Sequence, residues 1–161
     1  MRKLEIDFEE IAAIMDEQDL LNGYYVDTLT GDLVVIPSEL SELESFDKET
    51  IVELPEWERE LIPVVQEIQE GSDRYELVPR VYSSEVYDLM VQFAETVSDR
   101  QLREKLEIAL NGRGAFGRFK RVLGDYPEER ERWFDWKLAK MSDWIREWLN
   151  ELGIEPVQKK R

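Results

Sequence analysis

From Ser83 to Asn150 the apolar residues recur at helical spacing, and this long helical stretch constrains the fold more than any other feature. Val86, Leu89, Met90, Phe93 and Val97 form one stripe. Ser98-Asp99 opens a second helix, with Leu102, Leu106, Ala109 and Leu110 facing inward. After a glycine-rich turn comes a short helix over 115–123, which Gly124-Asp125-Tyr126-Pro127 breaks. Pro127 suits the first turn of a last helix, because its missing N–H would be unpaired there anyway. That helix is expected over 127–150, ending near Gly153. Along it Trp133, Trp136 and Trp144 share one side, with Phe134, Leu138, Met141, Ile145 and Trp148 beside them. A stripe that wide reads as core.

The first half has a different grammar. Asp7 with Glu10 three residues later makes a capping box, and Phe8, Ile11, Ala12 and Met15 predict a helix over 8–18. Two β-rich runs, 23–27 and 33–37, flank a Thr-Gly-Asp turn and read as a hairpin that Pro37 ends. Residues 38–56 are acidic with few apolar anchors and read as a loop or a marginal helix. A helix over 57–69 contains Pro63, which must kink or restart it. A turn at 71–73 leads into a short strand over 74–79. The expected fold class is α+β: a small antiparallel sheet with the hairpin in the first half, and a helical second half packed on it. One domain over 1–161 is expected. Residues 1–80 form its acidic mixed α/β part, 82–153 its helical part, and 154–161 a flexible tail.

Charge separates the same two parts. Residues 1–100 carry 26 acids and 7 bases, residues 101–161 carry 11 and 14, and the chain totals −16. The acidic part repels nucleic acid and anionic lipid, so direct nucleic-acid binding is disfavoured. The N-terminus is charged where a signal peptide needs an apolar run, and no stretch is apolar enough to span a membrane. A cytoplasmic protein without membrane contact is expected.

Against this acidity, Asn111-Gly112-Arg113-Gly114-Ala115-Phe116-Gly117-Arg118-Phe119-Lys120-Arg121 places four cations within nine residues, beside three glycines. On a helix, Phe116, Phe119 and Leu123 share the core side, Arg118 and Arg121 take the opposite, exposed side, and Lys120 flanks the apolar face. The first N–H groups of the helix, with Arg113 nearby, offer an anion pocket. Arg113, Gly114, Arg118, Lys120 and Arg121 are therefore the candidate binding residues. The architectural alternative makes Gly112 a left-handed helix cap and Gly114 a tight corner, with the arginines paired to the acidic half.

Catalytic routes are few. The chain has no His and no Cys, which removes Ser-His and Cys-His nucleophile pairs and structural zinc. No P-loop or dinucleotide fingerprint is present. The segment from Asp27 to Asp32 lacks the alternating ligands and distal Glu of a calcium loop and reads as a hairpin turn. No catalytic residue, metal or cofactor is assigned.

A spaced signature runs through the whole chain: Tyr24-Tyr25-Val26-Asp27 with Thr30-Gly31, then Val78-Pro79, Met90 and Phe93. It continues through Asn111 to Phe116, Arg118-Phe119-Lys120, Trp133-Phe134 and Trp148-Leu149. This pattern resembles an uncharacterised bacterial family catalogued as UPF0158. Gly117 stands where the family pattern carries a basic residue, and Arg121 where it carries an acid. The resemblance implies a bacterial cytosolic protein and brings over no activity and no catalytic residue.

The leading functional reading is a non-enzymatic interaction or regulatory module that contacts another protein through the basic turn and helix. One alternative is an enzyme or binder of a phosphate-bearing small molecule, using the same backbone pocket. Another is an acidic nucleic-acid mimic acting on a DNA- or RNA-binding protein through residues 1–100.

Overall fold

The structure, a computed structural model, describes residues 1–16, 22–43 and 45–160. Two compact units divide the chain, Met1–Arg80 with Arg146–Arg161, and Val81–Ile145. The fold is α+β.

The first unit opens with β1 (Arg2–Ile6) and α1 (Phe8–Asp16). Asp7 accepts the Glu10 N–H at 3.1 Å, and Phe8, Ile11, Ala12 and Met15 are buried as their spacing predicts. Residues 17 and 18, the expected end of this helix, lie outside the described residues. The hairpin forms from β2 (Asn22–Asp27) and β3 (Leu33–Pro37), with Tyr25 opposite Val34. Its turn closes through Gly31, whose N–H donates to the Asp27 carbonyl at 2.7 Å. Gly31 has φ +84°, and a Cβ there would lie 2.5 Å from the Glu5 carbonyl oxygen on β1. Only glycine fits both the backbone angle and that approach.

The acidic stretch after the hairpin holds two short helices, α2 (Ser38–Ser41) and α3 (Lys48–Glu53). Leu40 of α2 joins Ile36 and Val65 in a small core. By contrast α3 buries no residue, as its lack of apolar anchors predicts. Next, α4 (Glu56–Gln69) runs through Pro63 as one helix and does not restart. The strand β4 (Tyr75–Leu77) is shorter than the sequence reading, and it pairs antiparallel with β2 to give the order β3-β2-β4.

The second unit is helical: α5 (Ser83–Thr96), α6 (Arg100–Ala109), α7 (Ala115–Gly124) and most of α8 (Pro127–Glu151). Asp99 caps α6 by accepting the N–H groups of Gln101 and Leu102. The core is aromatic: Phe93 meets Phe119, Trp133 and Trp136 edge-on, at ring separations of 6.4, 5.3 and 5.8 Å. Edge-to-face pairs of this kind add to area burial. Arg132 lies over Phe93 at 4.3 Å and donates to the Thr96 hydroxyl at 3.0 Å. Trp133 is buried, while Trp136, Trp144 and Trp148 are half-buried and Phe134 is exposed.

One expectation is corrected. The segment read as a flexible tail forms β5 (Ile154–Gln158), which pairs in parallel with β1 from Arg2–Ile154 to Ile6–Gln158. The Arg2 N–H donates to the Gly153 carbonyl at 3.1 Å, and Lys159 N–H donates to the Ile6 carbonyl at 3.0 Å. Pro156 lacks a ladder donor, which a two-stranded sheet with open edges tolerates.

Candidate functional site

The glycine-rich segment is the corner between α6 and α7. An α-helix ends with four carbonyls that lack intrahelical donors. Here Leu106 and Ile108 accept the backbone N–H groups of Leu110 and Asn111, and side chains of the same unit meet two further carbonyls. The Tyr87 hydroxyl donates to the Leu110 carbonyl at 2.7 Å, and Arg118 Nε donates to the Ala109 carbonyl at 3.0 Å. The remaining guanidinium nitrogens of Arg118 donate to the Asn111 and Arg113 carbonyls. One side chain thus ties down three carbonyls of the turn it follows. Gly112 and Gly114 supply the required left-handed backbone, with φ +80° and +79°. A Cβ on Gly114 would lie 3.2 Å from Arg118 Nη1.

Arg118 is therefore half-buried and internally engaged, where the helical wheel placed it on the exposed side. Phe116 is half-buried, and Ala115, Phe119 and Leu123 form the buried face of α7. Arg113, Gly114, Lys120 and Arg121 are exposed. Among the described residues, the side chains of Arg113, Lys120 and Arg121 make no ion pair and no hydrogen bond. Gly114, as the N-cap of α7, offers no side-chain acceptor to the first N–H groups of the helix.

Beside the corner lies a cleft of about 380 Å³. Lys105, Ile108 and Ala109 line it from α6, and Arg118, Arg121, Val122 and Asp125 from α7 and its end. These are the spacings i, i+3, i+4 on one helix and i, i+3, i+4, i+7 on the other, so two adjacent stripes make the groove. The structure brings Arg118 and Arg121 together here. It does not bring Arg113, Gly114 or Lys120 into the lining. Lys105 is tied to Tyr126: its Nζ lies 3.0 Å from the phenol oxygen and 5.4 Å from the ring centroid. That hydrogen bond holds the Lys105 ammonium above its ordinary pKa. Arg121 makes no hydrogen bond or ion pair among the described residues, and Asp125 adds a carboxylate to the lining.

Sequence reasoning missed Lys105, Ile108, Val122 and Asp125. A signal was present for Ile108. It sits about 130° from the centre of the Leu102, Leu106 and Ala109 stripe on a helix of 3.6 residues per turn, so the apolar face cannot bury it. It is 72% exposed.

In the first unit the Asp27–Arg74 pair serves the architecture. Arg74 grips Asp27 with Nε at 3.1 Å and Nη2 at 2.9 Å. Asp27 also accepts the Leu29 N–H at 2.9 Å. Chiefly through the Arg74 hydrogen bond, the Asp27 carboxyl is held below its usual range. Thr28 donates to the Arg74 carbonyl through its N–H and its hydroxyl. The Asp27 turn is a fastening point for the strand that follows Arg74. Among the described residues no group of three or more His, Cys, Asp or Glu is placed to hold a metal ion. Among them, too, no helix is long and apolar enough to cross a membrane.

The profile of the uncharacterised protein family UPF0158 matches residues 1–161. The chain belongs to UPF0158. A UPF0158 protein of Pseudomonas aeruginosa is 24% identical over 98% of this chain and 89% of its own length. A UPF0158 protein of Chlamydia muridarum is 28% identical over 83% of this chain, but the match covers 35% of that relative. One of Chlamydia trachomatis is 28% identical over 61% of this chain and 30% of its own length. The UPF0158 chain therefore spans about a third of these chlamydial relatives. No solved structure matches it.

Proposed function

We propose that this UPF0158 protein is a non-enzymatic interaction module whose contact surface is the α6–α7 corner. The observation that carries this reading is a set of unspent cations, Arg113, Lys120 and Arg121, exposed around an aliphatic-floored cleft in a chain of net charge −16. Opposite charge on a partner would steer encounter and fix orientation. Arg118 is the hinge pin of the corner and is left out of the contact set. One feature weighs against a phosphate pocket at this corner: each guanidinium nitrogen of Arg118 already donates to a carbonyl.

The test is a triple variant, Arg113→Ala with Lys120→Ala and Arg121→Ala, compared with the wild type in capture from bacterial lysate. A partner lost by the variant, and released as salt rises from about 50 to 300 mM, is expected where exposed charges carry the contact. Unchanged capture by a variant with an unchanged far-UV spectrum overturns the reading.

A further inference from the structure

Resting on that reading, we infer that the α6–α7 cleft receives an acidic segment of a partner protein through one aliphatic or aromatic anchor side chain. The cleft has two chemistries in fixed positions. Its floor is Ala109, Val122 and the outward-facing Ile108. Its cations are Arg121 and, on the other helix, the Lys105 ammonium, which hydrogen-bonds to Tyr126 through one of its donors. An isoleucine 72% exposed contributes little to folding where it stands, and covering it releases water from apolar surface.

The distribution of charge selects among occupants. A small phosphate needs several donors converging on one point. Here the guanidinium of Arg118 is turned inward onto three carbonyls and Lys105 is bonded to Tyr126, so the donors do not converge. A carboxylate-rich chain instead spreads its charge along the groove, meeting Arg121 and Lys105 separately. Arg113 and Lys120, exposed outside the lining, extend the positive field beyond the cleft. Nucleic acid lacks the aliphatic or aromatic anchor side chain that this floor fits. Charge complementarity and the apolar floor together therefore point to an amphipathic acidic peptide.

The experiment uses the full chain and a fluorescein-labelled, glutamate-rich peptide with a central Leu-Phe pair. A second peptide carries serines at that pair, and inorganic phosphate serves as competitor. The anchor peptide should bind, with the serine peptide about tenfold weaker, as expected for one buried apolar anchor. Ile108→Ser should weaken the anchor peptide about tenfold while leaving the melting temperature unchanged, and Arg121→Glu should weaken both peptides severalfold. No binding of the anchor peptide at about 1 mM, a concentration that reports even feeble affinity, overturns the inference. Equal affinity for the two peptides overturns it too, as does full competition by low-millimolar phosphate. The broader reading fails separately: if the triple alanine variant loses its lysate partner while Ile108→Ser keeps it, the module stands and this occupant falls.

Discussion

Glu58 and Asp27 show how far a single side chain's environment departs from its sequence context. Both are buried acids of the first unit. Asp27 meets a guanidinium and a turn N–H, whereas Glu58 Oε2 is buried without a hydrogen-bond partner among the described residues. Desolvation, with the neighbouring charge of Glu39 second, raises the pKa of Glu58. The folded state therefore holds the Glu58 proton more tightly than the unfolded chain does. Its contribution to stability is full below the unfolded pKa and is lost as pH rises toward the folded one. Glu58→Gln removes that loss and should stabilise the protein at pH 7. The gain should shrink to nothing as pH falls below about 4, the ordinary glutamate range. Denaturant titrations at both pH values check this, and an equal difference at each would refute it. Nothing in the acidic run 38–60 marks Glu58 out, because burial there depends on how α2 packs on α4.

At the scale of elements, the α6–α7 corner contains two arginines three residues apart with opposite duties. Arg118 satisfies carbonyls that the end of α6 and the turn leave open, while Arg121 faces the cleft with its donors unspent. Arg118→Ala should cost about 1–2 kcal/mol, since the part-buried Ala109 carbonyl and two carbonyls of the turn lose a charged donor. Arg121→Ala should stay within about 0.5 kcal/mol of wild type, as for an exposed side chain with no partner. Thermal melts of the two variants decide it, and equal shifts would remove the distinction. The glycines were legible in the sequence, because left-handed backbone at a helix end has few other solutions. The direction of Arg118 was not. A helical wheel gives the face a side chain leaves from, and a long flexible side chain can still turn back onto the preceding turn. Ile108 was legible in principle, as an apolar residue off its own stripe, but only the adjacent α7 makes it part of a groove.

For the whole molecule, the decisive long-range event is the pairing of β1 with β5 across nearly the full length of the chain. Ile6 and Ile154, one on each strand, are fully buried. Ending the chain after Gly153 should expose Ile6 and cost about 2 kcal/mol in lost burial of Ile154 alone. In a chain of this size that lowers the melting temperature by roughly 4–8 °C. Hydrogen exchange should show the β1 amides losing protection, and an unshifted melt would mean the pairing contributes nothing. The sequence by itself determined the helical second half, the hairpin, the α+β class, the absence of histidine and cysteine chemistry, and the basic corner. All of these follow from local rules: apolar period, turn residues, caps and composition. Tertiary structure alone decided that Ile154–Gln158 form a strand, that Glu58 is buried, that Arg118 is turned into the corner, and that Arg121 shares a cleft with Ile108. Each depends on groups distant in sequence, or on the path of a flexible side chain, and periodicity carries no information about either.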